Sequence, residues 1–101
     1  MQSLTFADLV DRIGTAIDNA FKGDYIVYAA PRRIEWSHIS KHVVLTKTKD
    51  RVRCRLRQST TRPPIDSEVE LAGQSADALA NKAVQYLSDT PYREVQPSLR
   101  F

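Results

Sequence analysis

This chain has little of what most recognisable chemistry requires. It holds one cysteine, Cys54, which excludes an internal disulfide and fits a reducing compartment. It holds three glycines, Gly14, Gly23 and Gly73, and they form no glycine-rich phosphate loop. No apolar run approaches the length of a membrane span. Met1 to Leu9 lacks the basic-then-apolar order of a signal peptide. The expected location is cytoplasmic, with no membrane partner. No nucleophile, base and acid fall into a recognisable set. His38 and His42 stand four residues apart, a spacing that suits a metal on a helix. The surrounding Ile39, Val43 and Val44 read as extended chain, which separates the two rings by roughly 13 Å. No metal and no cofactor is called for. An enzyme is not expected, because catalysis needs a pocket that a domain of this size rarely encloses.

What the chain does have is a charge pattern. Its 101 residues are 42% hydrophobic and 27% charged, with a formal net charge of +3. These are ordinary globular values for one domain. The charge is segregated along the sequence. Residues 1–24 set Arg12 and Lys22 against four aspartates, a net of −2. Residues 32–62 set ten basic groups against Glu35 and Asp50, a net of +8. Residues 63–101 set three basic groups against six acids, a net of −3. A basic block between two acidic ones suggests an anionic partner, unless the flanks fold back and neutralise it.

The centre of that block is Arg51-Val52-Arg53-Cys54-Arg55-Leu56-Arg57. Arginine alternates with an apolar residue at every step. In a strand, alternate side chains point to opposite faces. The four arginines then share one face, and Val52, Cys54 and Leu56 share the other. Arginine binds phosphate and carboxylate bidentately, so the row is the leading candidate site. Arg32, Arg33, Lys47, Lys49 and Arg62 extend it as polyanion-binding candidates. Glu68 and Glu70 on a neighbouring strand are candidate neutralising groups. Trp36, close to Arg32 and Arg33, is either a stacking platform for a base or a core residue, and the core is the commoner use of a lone tryptophan.

Periodicity predicts a helix over residues 5–22, with Phe6, Leu9, Val10, Ile13, Ile17 and Phe21 on one stripe. Thr5 can cap it, and Asp8/Arg12 and Asp18/Lys22 are i,i+4 ion pairs in the favoured order. Asp24 to Ala30 reads as a strand, and Ile34 to Trp36 as a short strand or a continuation. His42 to Thr48 and Arg51 to Gln58 read as a hairpin with Leu45 opposite Cys54 and Thr46 opposite Arg53. Ser67 to Leu71 reads as a further strand, with Val69 and Leu71 inward. A second helix spans residues 76–88, capped by Ser75. The expected fold is α+β. It is a two-layer sandwich of helix, three- or four-stranded antiparallel sheet and helix, with both helices on one sheet face. Residues 1–91 form the domain and 92–101 a C-terminal extension, in which Tyr92 to Gln96 is expected to be extended and Leu99 and Phe101 to dock.

The order of helix, strands and helix is similar in outline to the double-stranded-RNA-binding domain. That family carries a lysine cluster at the start of its second helix. Here the matching segment is Ser75-Ala76-Asp77-Ala78, which repels phosphate, so membership is not claimed. Small motif-free α/β chains of this kind are also common among phage and mobile-element accessory proteins. Two functions are therefore expected of the chain. One is a non-catalytic module whose arginine face engages a nucleic acid or an acidic protein surface. The other is an inhibitor or adaptor that blocks a host protein by protein–protein contact. A homodimer through a sheet edge or the tail is compatible with both.

Overall fold

In a computed structural model, which describes residues 5–59 and 64–88, the chain folds as two helices and one five-stranded sheet. The order is α1 (Phe6–Phe21), β1 (Ile26–Ala30), β2 (Arg33–His38), β3 (Lys41–Lys47), β4 (Val52–Gln58), β5 (Ile65–Val69) and α2 (Ala76–Ser88). The strands follow one another across the sheet as β1-β2-β3-β4-β5, every pair antiparallel. Neighbouring strands are joined by short links, so each pairs with the strand next to it in sequence.

The helices form where the sequence predicts them. Thr5 Oγ1 accepts the Asp8 N–H at 3.0 Å, satisfying one of the donors left over at the helix start. Lys22 closes α1 in the left-handed region at φ 54, and its N–H donates to the Asp18 carbonyl at 2.7 Å. Gly23 follows at φ 85, the kind of backbone that glycine takes without strain. Ser75 Oγ caps α2 by accepting from the Ala78 N–H at 3.1 Å. The i,i+4 pairs within α1 are not what its charges make. Arg12 instead reaches Asp77 of α2 at 2.6 Å, and Asp18 accepts from the Tyr25 hydroxyl at 3.0 Å. Contacts between elements outcompete weak pairs along one exposed helix face.

Leu9, Ile13 and Ile17 of α1 and Leu79, Ala80, Ala83 and Leu87 of α2 share one buried cluster with Trp36, Val43, Leu45, Cys54 and Val69. The strand members all have the same parity, so they occupy the sheet face that meets the helices. Phe6, Val10, Val52 and Leu56 are partly buried against its margin. The expected hairpin register holds, with Leu45 opposite Cys54, Val43 opposite Leu56 and Thr46 opposite Arg53. The strand count is five, not three or four. Arg33–His38 is a complete strand of six residues whose centre, Trp36, is 2% exposed. Its polar residues Glu35 and Ser37 face away from the helices, which hides a central strand from a search for apolar runs. The fifth strand begins at Ile65, two residues before the expected Ser67. The segment from Tyr92 to Phe101, the docking of Leu99 and Phe101, and the boundary at residue 91 lie outside the described residues.

Candidate functional site: a charge lattice on the outer sheet face

The alternation of β4 turns Arg53, Arg55 and Arg57 away from the helices. Registers across the sheet give two full cross-strand rows on this face. One runs Ile26, Ser37, His42, Arg57, Asp66, and the next Tyr28, Glu35, Val44, Arg55, Glu68. A third contains Ala30, Arg33, Thr46 and Arg53. Val44 is buried even though it points outward, because the longer side chains around it close over a short β-branched one.

The arginine row is present, and it is occupied. Arg53 donates Nε and one terminal nitrogen to Glu68 at 3.0 and 2.7 Å. Arg55 makes the same fork to Asp66, through Nε at 3.1 Å and through its terminal nitrogen. Both pairs run diagonally across β4 and β5, two residues along from the directly opposite position, within reach of a long side chain. Each acid also serves a second arginine. Arg51 lies 3.6 Å from Glu68, and Arg57 Nε lies 3.6 Å from Asp66. Two carboxylates thus bridge four guanidinium groups. The forked hydrogen bonds from Arg55 and Arg53 hold Asp66 and Glu68 below the usual carboxylate range, and hold the two arginines further above theirs.

Sequence reasoning placed the neutralising acids at Glu68 and Glu70. Glu68 is one of them, and Asp66 is the other. The earlier start of β5 brings Asp66 onto the face and leaves Glu70 beyond the end of the strand. The remaining candidates separate into two groups. Arg33 is held by Glu35 at 2.7 Å. Arg32, Lys47 and Lys49 gather at one end of the sheet. The Lys47 N–H donates to the Arg32 carbonyl at 2.8 Å, and Lys49 sits in the adjoining β3–β4 turn. Among the described residues, no ion pair is found for these three cations. Arg62 lies outside the described residues. Trp36 is core and is packed on Gly14, with 3.5 Å between the indole and the position of an added Cβ, so it offers no stacking platform.

One constellation escaped the sequence. His42 stands on the central strand, in the end row of the face, among Ser37, Glu35 and Ser59. Its Nδ1 is 2.7 Å from Ser37 Oγ and 3.3 Å from Glu35 Oε2, and its Nε2 is 3.1 Å from Ser59 Oγ. The grouping has the membership of a serine–histidine–carboxylate relay, with Glu35 and Ser37 sharing Nδ1 and Ser59 on Nε2. Ser59 Oγ also lies 3.2 Å from the Ser40 carbonyl oxygen. The Ser59 hydroxyl therefore has two partners, the Ser40 carbonyl and His42 Nε2, and the His42 tautomer sets the direction of the second bond. The group ties β2 and β3 to the end of β4. Only the cross-strand register brings these residues together, and no linear spacing announces them.

His38 has the opposite parity. It faces the helices and lies 3.2 Å from the Leu87 carbonyl, so the two histidines sit on different faces and share no ligand. Burial pushes the Cys54 thiol up to about 11, which leaves it an unreactive core group. Among the described residues no cluster of metal-ligating side chains occurs, and no helix is long and apolar enough to cross a membrane. No protein-family model, no curated protein and no solved structure matches this chain.

Proposed function

We propose that this protein is a non-catalytic binding module that grips another protein with the outer face of its sheet. The observation behind this reading is the occupied lattice. A phosphate backbone is attracted by cations free to exchange counterions for it. Arg53 and Arg55 have already committed their forks to Glu68 and Asp66. What remains is a mosaic of fixed charge in which two carboxylates are shared among four arginines. Tyr28 and Ile26 stand exposed at its β1 side. Arginine and tyrosine are the residues that most often anchor protein interfaces, and a paired lattice fixes register more than it adds raw affinity. A module without a catalytic site acts by occupancy, blocking or bridging its partner. That is how phage and mobile-element inhibitors and adaptors of host proteins work, and a cytoplasmic setting suits the single reduced thiol.

A second reading rests on a separate observation. Arg32, Lys47 and Lys49 cluster at one end of the sheet with no ion pair among the described residues, and a nucleic acid is the partner that such cations serve. One set of experiments separates the two. In the first reading, wild-type protein does not retard DNA or RNA at physiological salt. A protein it captures is then lost with Tyr28→Ala and Arg55→Glu together, and kept with the helix-face change Asp11→Lys. If wild type retards nucleic acid with a steep salt slope that Lys47→Glu and Lys49→Glu reduce, the second reading replaces the first.

A further inference from the structure

The two edges of the sheet are built differently. β5 is lined by Asp66 and Glu68 and is preceded by Pro64, all of which discourage another strand from adding to it. β1 has none of these devices. Its five residues, Ile26-Val27-Tyr28-Ala29-Ala30, carry no charge, proline or glycine. Ile26 and Tyr28 on the outer face are 73% and 62% exposed, and Val27 on the helix side is 48% exposed. The strand is thus apolar and open on both faces. Such an edge is rare in a natural sheet unless something pairs with it.

The hydrogen-bond phase shows what it presents. The Lys47 N–H bond to the Arg32 carbonyl fixes the alternation along β2. Arg32, Ile34 and Trp36 turn their backbone groups toward β3, and Arg33, Glu35 and Ser37 turn theirs toward β1. The partners of the latter, Ala30, Tyr28 and Ile26, therefore use their own backbone groups inside the sheet. Val27 and Ala29 are left with N–H and C=O groups aimed outward.

We infer that β1 pairs antiparallel with β1 of a second copy of this chain, making one continuous ten-stranded sheet. A second copy fits because an uncharged strand meets itself without like-charge repulsion, which a two-fold axis otherwise imposes on any charged residue near it. Parity restricts the register to those centred on a residue, and centring on Tyr28 pairs the most of β1. With Tyr28 opposite its own copy, Val27 meets Ala29 and Ile26 meets Ala30, and every side chain stays on its own face. Val27 and Ala29 then exchange the outward backbone bonds. Five residues per copy make a small contact, so the association is reversible and depends on concentration. The two outer faces become one surface, while the lattice on each remains as described.

Ala29→Pro tests this directly. It removes an N–H that the fold does not use, and it leaves the outer-face side chains in place, so its failure is distinct from a failure of the face itself. Val27→Lys is the second variant, placing a charge on the same edge without constraining the backbone. In size-exclusion chromatography with light scattering, wild type is expected to rise from the mass of one chain to that of two as concentration increases. Both variants are expected to remain at one chain with unchanged circular dichroism. A wild type that stays at the mass of one chain into the millimolar range overturns the inference. So do folded variants that dimerise as wild type does. Loss of thermal stability in monomeric Ala29→Pro, with wild type also monomeric, overturns it too, because a segment of the same chain then covers the edge.

Discussion

Among the described residues, two other than glycine take positive φ, Lys22 and Ile39, and only Ile39 is β-branched. It occupies the first central position of the two-residue link between His38 and Lys41, at φ 58. A β-branched side chain pays about 1–2 kcal/mol for left-handed backbone, and glycine pays almost none. The side chain recovers little in return, since it is 53% exposed. Ile39→Gly is therefore expected to stabilise the protein by about 1 kcal/mol in chemical denaturation. Ile13 is the opposite case, fully buried between the helices and the sheet. Ile13→Ala leaves a cavity that the packed neighbours cannot close, and a loss of about 2–5 kcal/mol is expected by the same measurement. Ile13 was legible from helical spacing alone. Ile39 was not, because a turn between two strands of mixed polarity carries no periodicity.

At the scale of elements, β5 is held differently from the other strands. Of its five residues only Val69 is buried, so its side-chain attachment to β4 rests largely on the bridged acids. Asp66 and Glu68 titrate below their ordinary values in the folded chain. The lattice therefore contributes stability in full above the ordinary carboxylate range, and loses it as pH falls through the lowered folded values. Arginine stays charged throughout, so the acids alone set the window. Amides of β5 are expected to lose protection from hydrogen exchange at acid pH before those of β3, and earlier again in high salt, which screens exposed pairs. Asp66→Asn is expected to flatten this pH dependence. Equal protection of β3 and β5 across that pH range counts against an electrostatic attachment. The alternation of β4 was plain in the sequence, and so was its register with β3. The acid that completes the lattice was not, because Arg62-Pro63-Pro64 masks where β5 begins.

Across the whole molecule, the sequence showed the α+β class, both helices and most of the core, since these depend on periodicity within single segments. Cross-strand neighbours were harder to see. The grouping of His42 with Ser37, Glu35 and Ser59 and the diagonal forks from β4 to β5 depend on register between strands. The basic block of residues 32–62 suggested a cationic surface. Folding brings part of the acidic third of the chain against it and converts a charge excess into a charge pattern. That pattern has a consequence for any single substitution within it. Because each acid serves two arginines, replacing Asp66 alone uncovers Arg55 and Arg57 together. The core has no part in the exchange. One substitution on this sheet therefore leaves two arginines without their carboxylate and loosens the edge strand that carried it, while the packed layer beneath is untouched.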